Sequence, residues 1–76
     1  MNNQEYRTTD IILAACLKVH GYTVETIEKV GNKGTFVFLK IPNQFIIDYD
    51  LGKILVEPVA FNNAIKQLTT SVRRMA

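Results

Sequence analysis

Soft metal ligands and thiols are scarce in this chain of 76 residues, which contains one cysteine, Cys16, and one histidine, His20. A single cysteine cannot form an intrachain disulfide, and a domain of this length does not require one, so a reducing cytoplasm fits. A structural zinc site needs about four ligands, which two side chains cannot supply. We therefore expect a cytoplasmic protein with no disulfide and no metal ligand.

Long apolar runs are also absent, since no stretch approaches the ~20 apolar residues of a membrane span. The polar start, residues 1–5, lacks the basic-then-apolar pattern of a signal peptide. The hydrophobic content of 47% is ordinary for a globular protein. A chain this short buries only about 60% of the surface that it exposes when unfolded. The sequence indicates one domain, residues 1–76, without a membrane partner, and a homodimer is one way to cover the remaining apolar surface.

A first helix is predicted after residues 1–7, which carry no periodic signal and are expected to be a flexible arm or a short lead-in. Thr8 or Thr9 can cap this helix, and Asp10 adds a negative charge at the positive end of the helix dipole. Gly21 ends it, because glycine adopts the left-handed conformation that closes a last turn. The expected apolar residues are Ile12, Leu13, Ala15, Cys16, Leu17 and Val19.

A β-hairpin is predicted next. Residues 22–30 are rich in β-branched side chains, and their imperfect alternation allows a bulge. Residues 31–34 form a strong turn signal. Residues 35–41 are apolar on both faces, which predicts a central strand or one covered on both sides. Pro42 is expected to end this strand, because proline cannot donate a ladder hydrogen bond.

Residues 43–57 allow two interpretations. Asn43 can cap a short helix that Gly52 closes, or residues 45–49 and 53–57 can form a second hairpin. Periodicity does not decide for a run this short, and we favour the helix.

The last helix begins at Pro58, which suits the first helical position because its missing N–H has no partner there. Apolar residues then recur at helical spacing. The whole pattern predicts an α+β fold of order helix–strand–strand–short helix (or second hairpin)–helix, with an antiparallel hairpin packed on two amphipathic helices. The expected core residues are Leu13, Leu17, Val37, Phe38, Leu39, Phe61, Ile65 and Leu68.

Several short motifs recur in an order that resembles a small family of phage and bacterial domains of unknown function. They are Thr8-Thr9-Asp10, Leu13-Ala14-Ala15-Cys16-Leu17, Gly21-Tyr22, Phe36-Val37-Phe38, Tyr49, Gly52-Lys53-Ile54, Val56-Glu57-Pro58, Phe61 and Leu68. The resemblance covers about residues 8–72. It implies a helix before Gly52 and an origin in a phage, a prophage or a mobile element, and it brings no activity, ligand or functional residue.

Catalytic residues are not predicted. Cys16 falls in the middle of a helix on its apolar face, where a thiol is inert. The carboxylate pairs Asp48 with Asp50 and Glu25 with Glu28 lack the apolar surroundings that raise a pKa for general acid catalysis. We therefore expect no enzyme activity and no cofactor.

Two function hypotheses remain. The first is a non-enzymatic protein-interaction module of phage, prophage or mobile-element origin, which binds an unknown host or phage protein or self-associates. The second is a weak nucleic-acid-binding protein that uses its basic C-terminal helix, because the net charge is +2 and the sequence pI is near 8.9. The candidate contacts are Lys66, Arg73, Arg74, Lys53 and Arg7. Most of the apolar residues are expected in the core. The surfaces that remain for a partner are the polar face of this helix and the exposed edge of the hairpin.

Overall fold

The computed structural model of the protein describes residues 5–75, which fold into a sheet and a layer of helices. In chain order the elements are β1 (Glu5–Thr8), α1 (Ile11–Val19), β2 (Val24–Val30), β3 (Lys33–Leu39), α2 (Asn43–Asp50) and α3 (Pro58–Arg73). The α+β class and the predicted order of elements are confirmed, with one strand added before the first helix. Within the described residues, no helix is long and apolar enough to cross a membrane.

Strand β1 corrects the prediction of a flexible arm or lead-in over residues 1–7. Residues 5–7 are part of this strand, which pairs antiparallel with β3. Tyr6 and Thr8 lie opposite the two phenylalanines of β3, and the residues between them face the other side. A strand with so few inward residues has no apolar run that would reveal it. Residues 1–4 of that prediction lie outside the described residues.

The N-terminal cap of α1 is Asp10, not Thr8 or Thr9 as predicted. Its Oδ1 atom accepts hydrogen bonds from the backbone N–H groups of Ile12 at 2.9 Å and Leu13 at 3.3 Å. The Thr8 hydroxyl oxygen instead accepts from the Asp10 N–H at 3.0 Å, which fixes the approach to the helix. A carboxylate satisfies two otherwise unpaired amides here and complements the helix dipole.

The end of α1 matches the prediction. His20 is the C-cap residue, and Gly21 follows with a φ of 98°. The Tyr22 N–H then donates to the Leu17 carbonyl at 3.0 Å. This bond pairs a carbonyl that the helix itself leaves open, and only glycine adopts the required φ without strain.

The hairpin turn has two residues, Gly31 and Asn32, because Val30 pairs directly with Lys33. It is therefore shorter than the predicted turn over residues 31–34. Gly31 has a φ of 63° and Asn32 does not have a positive φ, and a positive φ at the first turn position alone is the pattern of a type II′ turn. Such a turn matches the right-handed twist of the strands that it joins.

Strand β3 is the central strand, as predicted, in a sheet of order β1-β3-β2. The register of β2 on β3 shifts between Val24 and Thr26, which confirms the predicted bulge. Strand β3 ends at Leu39, because Lys40 takes a positive φ of 60°. The strand therefore stops before Pro42, the residue expected to end it.

The three helices cover one face of the sheet, to which Phe36 and Phe38 point. The buried residues of this core are Leu13, Ala14, Ala15, Leu17, Phe36, Phe38, Ala64 and Leu68. Val37 points to the opposite face and is nevertheless only 1% exposed. The Arg7 guanidinium on β1 reaches Glu28 on β2, so this ion pair crosses the central strand beside Val37.

Helix α1 is the centre of the helical layer. Residues 13–17 are all buried, whereas Ile12, expected on the apolar face, is 46% exposed. Five consecutive buried residues require neighbours on more than one side of a helix. The sheet and α3 provide two of them, and the segment that contains α2 provides the third.

Residues 43–57 contain the predicted short helix, α2, and not a second hairpin. Gly52, with a φ of 74°, closes it as expected. Asn43 is its first residue, however, and does not cap it. The N-cap residue is Pro42, which makes no side-chain hydrogen bond there.

The chain after α2 runs back along α1. The Tyr49 hydroxyl donates to Asp10 Oδ2 at 2.9 Å, which holds the last turn of α2 beside the start of α1. A ring nitrogen of His20 lies 2.8 Å from the Leu55 carbonyl oxygen, beside the end of α1. Residues 51–57 therefore carry the chain from one end of α1 to the other.

Helix α3 begins at Pro58, as predicted, and Glu57 caps it. The Glu57 carboxylate accepts from the N–H groups of Val59 at 3.0 Å and Ala60 at 2.8 Å, and these bonds lower the pKa of Glu57. The predicted apolar residues of α3 face the core. Ala64 and Leu68 are buried, and Phe61, Ile65 and Val72 are partly buried against it. Of the predicted core residues, only Leu39, Phe61 and Ile65 are not fully buried.

Candidate functional site

A cleft of about 390 Å³ opens where the start of α1, the hairpin turn and the end of α3 meet. Its lining residues are Thr9, Ile11, Asn32, Lys33, Gly34, Phe36, Thr69, Val72 and Arg73. The two amphipathic helices run in opposite directions, so the last turn of α3 lies beside the first turn of α1. The cleft therefore depends on three elements that are distant in the sequence.

The walls of the cleft combine positive charge with apolar surface. Lys33 and Arg73 are both exposed, and neither forms an ion pair with another residue in the range 5–75. Ile11, Phe36 and Val72 supply apolar surface, while two threonines and an asparagine supply hydrogen-bonding groups. This combination suits an anionic group next to a less polar body.

Gly34 determines how closely α3 approaches the hairpin. A Cβ atom at this position would lie 2.7 Å from Cγ2 of Val72, closer than packed carbon atoms approach each other. The absence of a side chain thus lets the last turns of α3 rest directly on β3, beside Arg73.

The predicted contact residues do not share one surface. Arg73 lines the cleft, and Arg74 follows it as the exposed C-cap of α3. Lys66 is exposed on α3 two turns earlier, outside the cleft, and Lys53 is exposed after α2. Arg7 bonds Glu28 and Glu5 on the open face of the sheet, away from α3.

Lys33 also lines the cleft, although it is not among the contact residues predicted from the sequence. It is the first residue of β3, directly after the hairpin turn and 40 residues before Arg73 (73 − 33). No local pattern connects the two positions, because only the packing of α3 on the hairpin brings them to one cleft.

The second candidate surface is the free edge of β2. In the described sheet β2 is an edge strand of seven residues, whereas β1 at the other edge has four. Val30 and Lys33 flank a two-residue turn, so the turn hydrogen bond directs the Val30 carbonyl toward β3. Antiparallel pairs alternate along a ladder, and the N–H and C=O groups of Lys29 and Ile27 therefore point outward.

Strand β2 carries three apolar side chains, at Val24, Ile27 and Val30, and its other side chains are polar. Glu25 and Lys29 flank Ile27, and neither forms an ion pair with another described residue. Ile27 packs partly on the core, while Val30 is 78% exposed. The edge thus offers unpaired backbone groups with one positive and one negative side chain beside them.

Among the groups considered for catalysis, the thiol is buried and one member of each carboxylate pair has a side-chain partner. Cys16 is buried, and burial, followed by the charge of Asp10, raises the pKa of its thiol. Glu28 binds Arg7, and Asp48 accepts a hydrogen bond from Gln44 at 2.8 Å. Over residues 5–75 no three His, Cys, Asp or Glu side chains come together as a metal site requires.

Comparison with known proteins finds no matching family model, curated protein or solved structure. The resemblance to phage and bacterial domains therefore stays a prediction.

Proposed function

We propose that this chain is a non-enzymatic protein-interaction module of phage, prophage or mobile-element origin. It acts in the host cytoplasm by adding an extended segment of another polypeptide to the free edge of β2. The observation that carries the proposal is the outward row of backbone groups at Ile27 and Lys29. Unpaired strand edges bind extended segments through main-chain hydrogen bonds, and side-chain contacts then select the partner.

The strength of such a contact follows from its hydrogen bonds. Two outward residues offer four backbone groups, and each hydrogen bond contributes about 1 kcal/mol net. Charged neighbours at Glu25 and Lys29 add direction and discourage partners of the wrong charge. The proposal therefore describes a modest contact in which backbone pairing supplies the affinity.

A proline substitution at Lys29 tests this proposal. Lys29→Pro removes an outward N–H and leaves the ladder to β3 intact, because that N–H has no partner on β3. Lys29→Ala is the matched control, since it removes the side chain and keeps the N–H. Circular dichroism and thermal unfolding verify that both variants fold.

Light scattering after size exclusion and affinity capture from the native host measure the effect. We expect Lys29→Pro to lose the complex that Lys29→Ala retains. A chain that stays monomeric and captures the same proteins in its wild-type and Lys29→Pro forms contradicts the proposal.

The alternative function is a weak nucleic-acid-binding protein that uses the basic C-terminal helix. It is favoured by Arg73 and Lys33, which line one cleft with hydroxyl and amide groups suited to a phosphate. Fluorescence anisotropy with single-stranded and duplex oligonucleotides at low salt tests it. Arg73→Ala with Arg74→Ala should abolish binding, and Arg7→Ala, which removes a charge on the open face, should not. Binding should also weaken steeply with added salt.

A further inference from the structure

We propose that the cleft at the start of α1, the hairpin turn and the end of α3 binds a phosphate monoester, that is, a terminal phosphate on a compact and partly apolar body. Among the described residues that line the cleft, none belongs to β2, so this inference does not rest on the proposed function. It differs from the nucleic-acid alternative in its ligand, because a nucleic-acid backbone presents phosphate diesters. The charge, the hydrogen-bonding groups and the volume of the cleft support it.

The charge of the cleft matches a dianion. Lys33 and Arg73 both line it, and neither forms an ion pair with another residue in the range 5–75. The lining residues that the structure describes include no acidic side chain. A phosphate monoester carries about 1.5 to 2 negative charges at neutral pH, whereas a carboxylate, a sulfate monoester or a backbone diester carries a single charge. Two cations without an acidic neighbour in the lining therefore favour the monoester.

The polar side chains of the cleft suit a ligand that accepts hydrogen bonds. Thr69 and Arg73 are four residues apart on α3 and so lie on one face of that helix. Thr9 and Asn32 line the cleft from the start of α1 and from the hairpin turn. Lysine and arginine side chains only donate hydrogen bonds, and threonine hydroxyls and asparagine amides also contain a donor. The oxygens of a phosphate dianion accept such bonds, and charge assistance makes them stronger.

The volume and the apolar walls indicate a ligand larger than a bare phosphate ion. At ~30 Å³ per water molecule, the volume of about 390 Å³ corresponds to about 13 waters (390 / 30), which exceeds what one phosphate group fills. It falls within the usual range of small-molecule sites. Ile11 and Val72 are half-buried, and the buried Phe36 lies behind them in the lining. We therefore expect the body of the ligand to contact these apolar side chains.

Phenyl phosphate tests the ligand class, with phenyl sulfate and inorganic phosphate as matched probes. Phenyl sulfate has nearly the same shape and a single charge, and inorganic phosphate has the charge without the body. Titration of the isotope-labelled chain, followed by its amide chemical shifts, gives each dissociation constant. We expect phenyl phosphate to bind at millimolar concentration or below and about fivefold more tightly than either probe. The amide signals of Gly34, Thr69 and Arg73 should shift.

Arg73→Gln and Arg74→Gln form a matched pair, because they make the same change at neighbouring residues of which only Arg73 lines the cleft. We expect Arg73→Gln and Lys33→Gln each to raise the dissociation constant of phenyl phosphate about tenfold. Arg74→Gln should change it by no more than about twofold, because an exposed charge outside the cleft is screened by salt. Thermal unfolding verifies that the variants fold.

The terminal phosphate can belong to a small molecule or to the end of a nucleic acid, and competition against phenyl phosphate distinguishes these sources. A single-stranded oligonucleotide with a terminal phosphate, compared with the same strand without it, is the competitor. Stronger competition by the phosphorylated strand identifies a nucleic-acid end, and weak competition by both strands identifies a small molecule. The proposal is overturned if the unphosphorylated strand competes as well as phenyl phosphate, or if phenyl sulfate binds as tightly. No shift at millimolar phenyl phosphate, or equal binding by Arg73→Gln, also overturns it.

Discussion

The Tyr49 hydroxyl donates a hydrogen bond of 2.9 Å to Asp10 Oδ2, while Oδ1 of the same carboxylate caps α1. One side chain therefore starts the central helix and holds the end of α2 against it. The bond joins residues 39 positions apart. It explains how a short helix with no fully buried residue keeps its place beside the core.

Substitution at Asp10 should reveal both roles. Asp10→Ala is expected to lower the free energy of unfolding by about 2 kcal/mol, with ~1 from the lost cap and ~1 from the lost hydrogen bond. Tyr49→Phe should lower it by about 1 kcal/mol. Urea unfolding of the two single variants and the double variant measures the coupling. Strictly additive losses would show that the two residues do not interact.

The same contact makes stability depend on alkaline pH. Burial, followed by the hydrogen bond to Asp10, raises the pKa of Tyr49 from its ordinary 10.0 to about 12. The folded chain then holds this proton more tightly than the unfolded chain. The contribution is complete below about pH 10 and declines as the pH rises toward 12. Urea midpoints across this range should fall more steeply for the wild type than for Tyr49→Phe, and equal slopes would contradict the contact.

The approach of α3 to the hairpin depends on Gly34. Gly34→Ala should cost about 1–3 kcal/mol, because the new methyl group meets the stiff Val72 side chain. Val72→Ala should recover part of that loss when the two substitutions are combined, although alone it removes packing. Thermal unfolding of the three variants gives the comparison. The idea fails if Gly34→Ala is as stable as the wild type.

Cys16 provides a probe of the core. Cys16 is 6% exposed, and burial raises the pKa of its thiol. The folded chain therefore presents little reactive thiolate to a reagent. An aromatic disulfide reagent should modify it slowly in buffer and at the rate of a free thiol in urea. Rapid modification under native conditions would contradict the described packing of α1.

Local patterns account for most of the fold. Helices α1 and α3 and the hairpin are predicted because their apolar spacing and their glycine and proline signals lie within each segment. Strand β1 is missed because its pairing with β3 is non-local and only Tyr6 and Thr8 face inward. The cap of α1 is displaced because Thr8, Thr9 and Asp10 are all capping residue types. Only the folded geometry shows which oxygen reaches the first amides.

The candidate surfaces are likewise predicted only in part from the sequence. The sequence points to Arg73 and to the hairpin edge, because both are what the apolar core leaves exposed. It does not connect Arg73 with Lys33, and it groups Arg7 with cations on the other side of the sheet. Which amides of β2 point outward follows from the two-residue turn, whose length the sequence overestimates.

Amide hydrogen exchange along β2 tests the central claim, that its free edge pairs with a second chain. At low protein concentration, the N–H groups of Ile27 and Lys29 should exchange rapidly, while that of Glu28, directed at β3, stays protected. With the host partner bound, Ile27 and Lys29 should become protected in the wild type, and Ile27 should stay unprotected in Lys29→Pro. Rapid exchange of both amides at every concentration, with the host partner present as well as absent, would contradict the account.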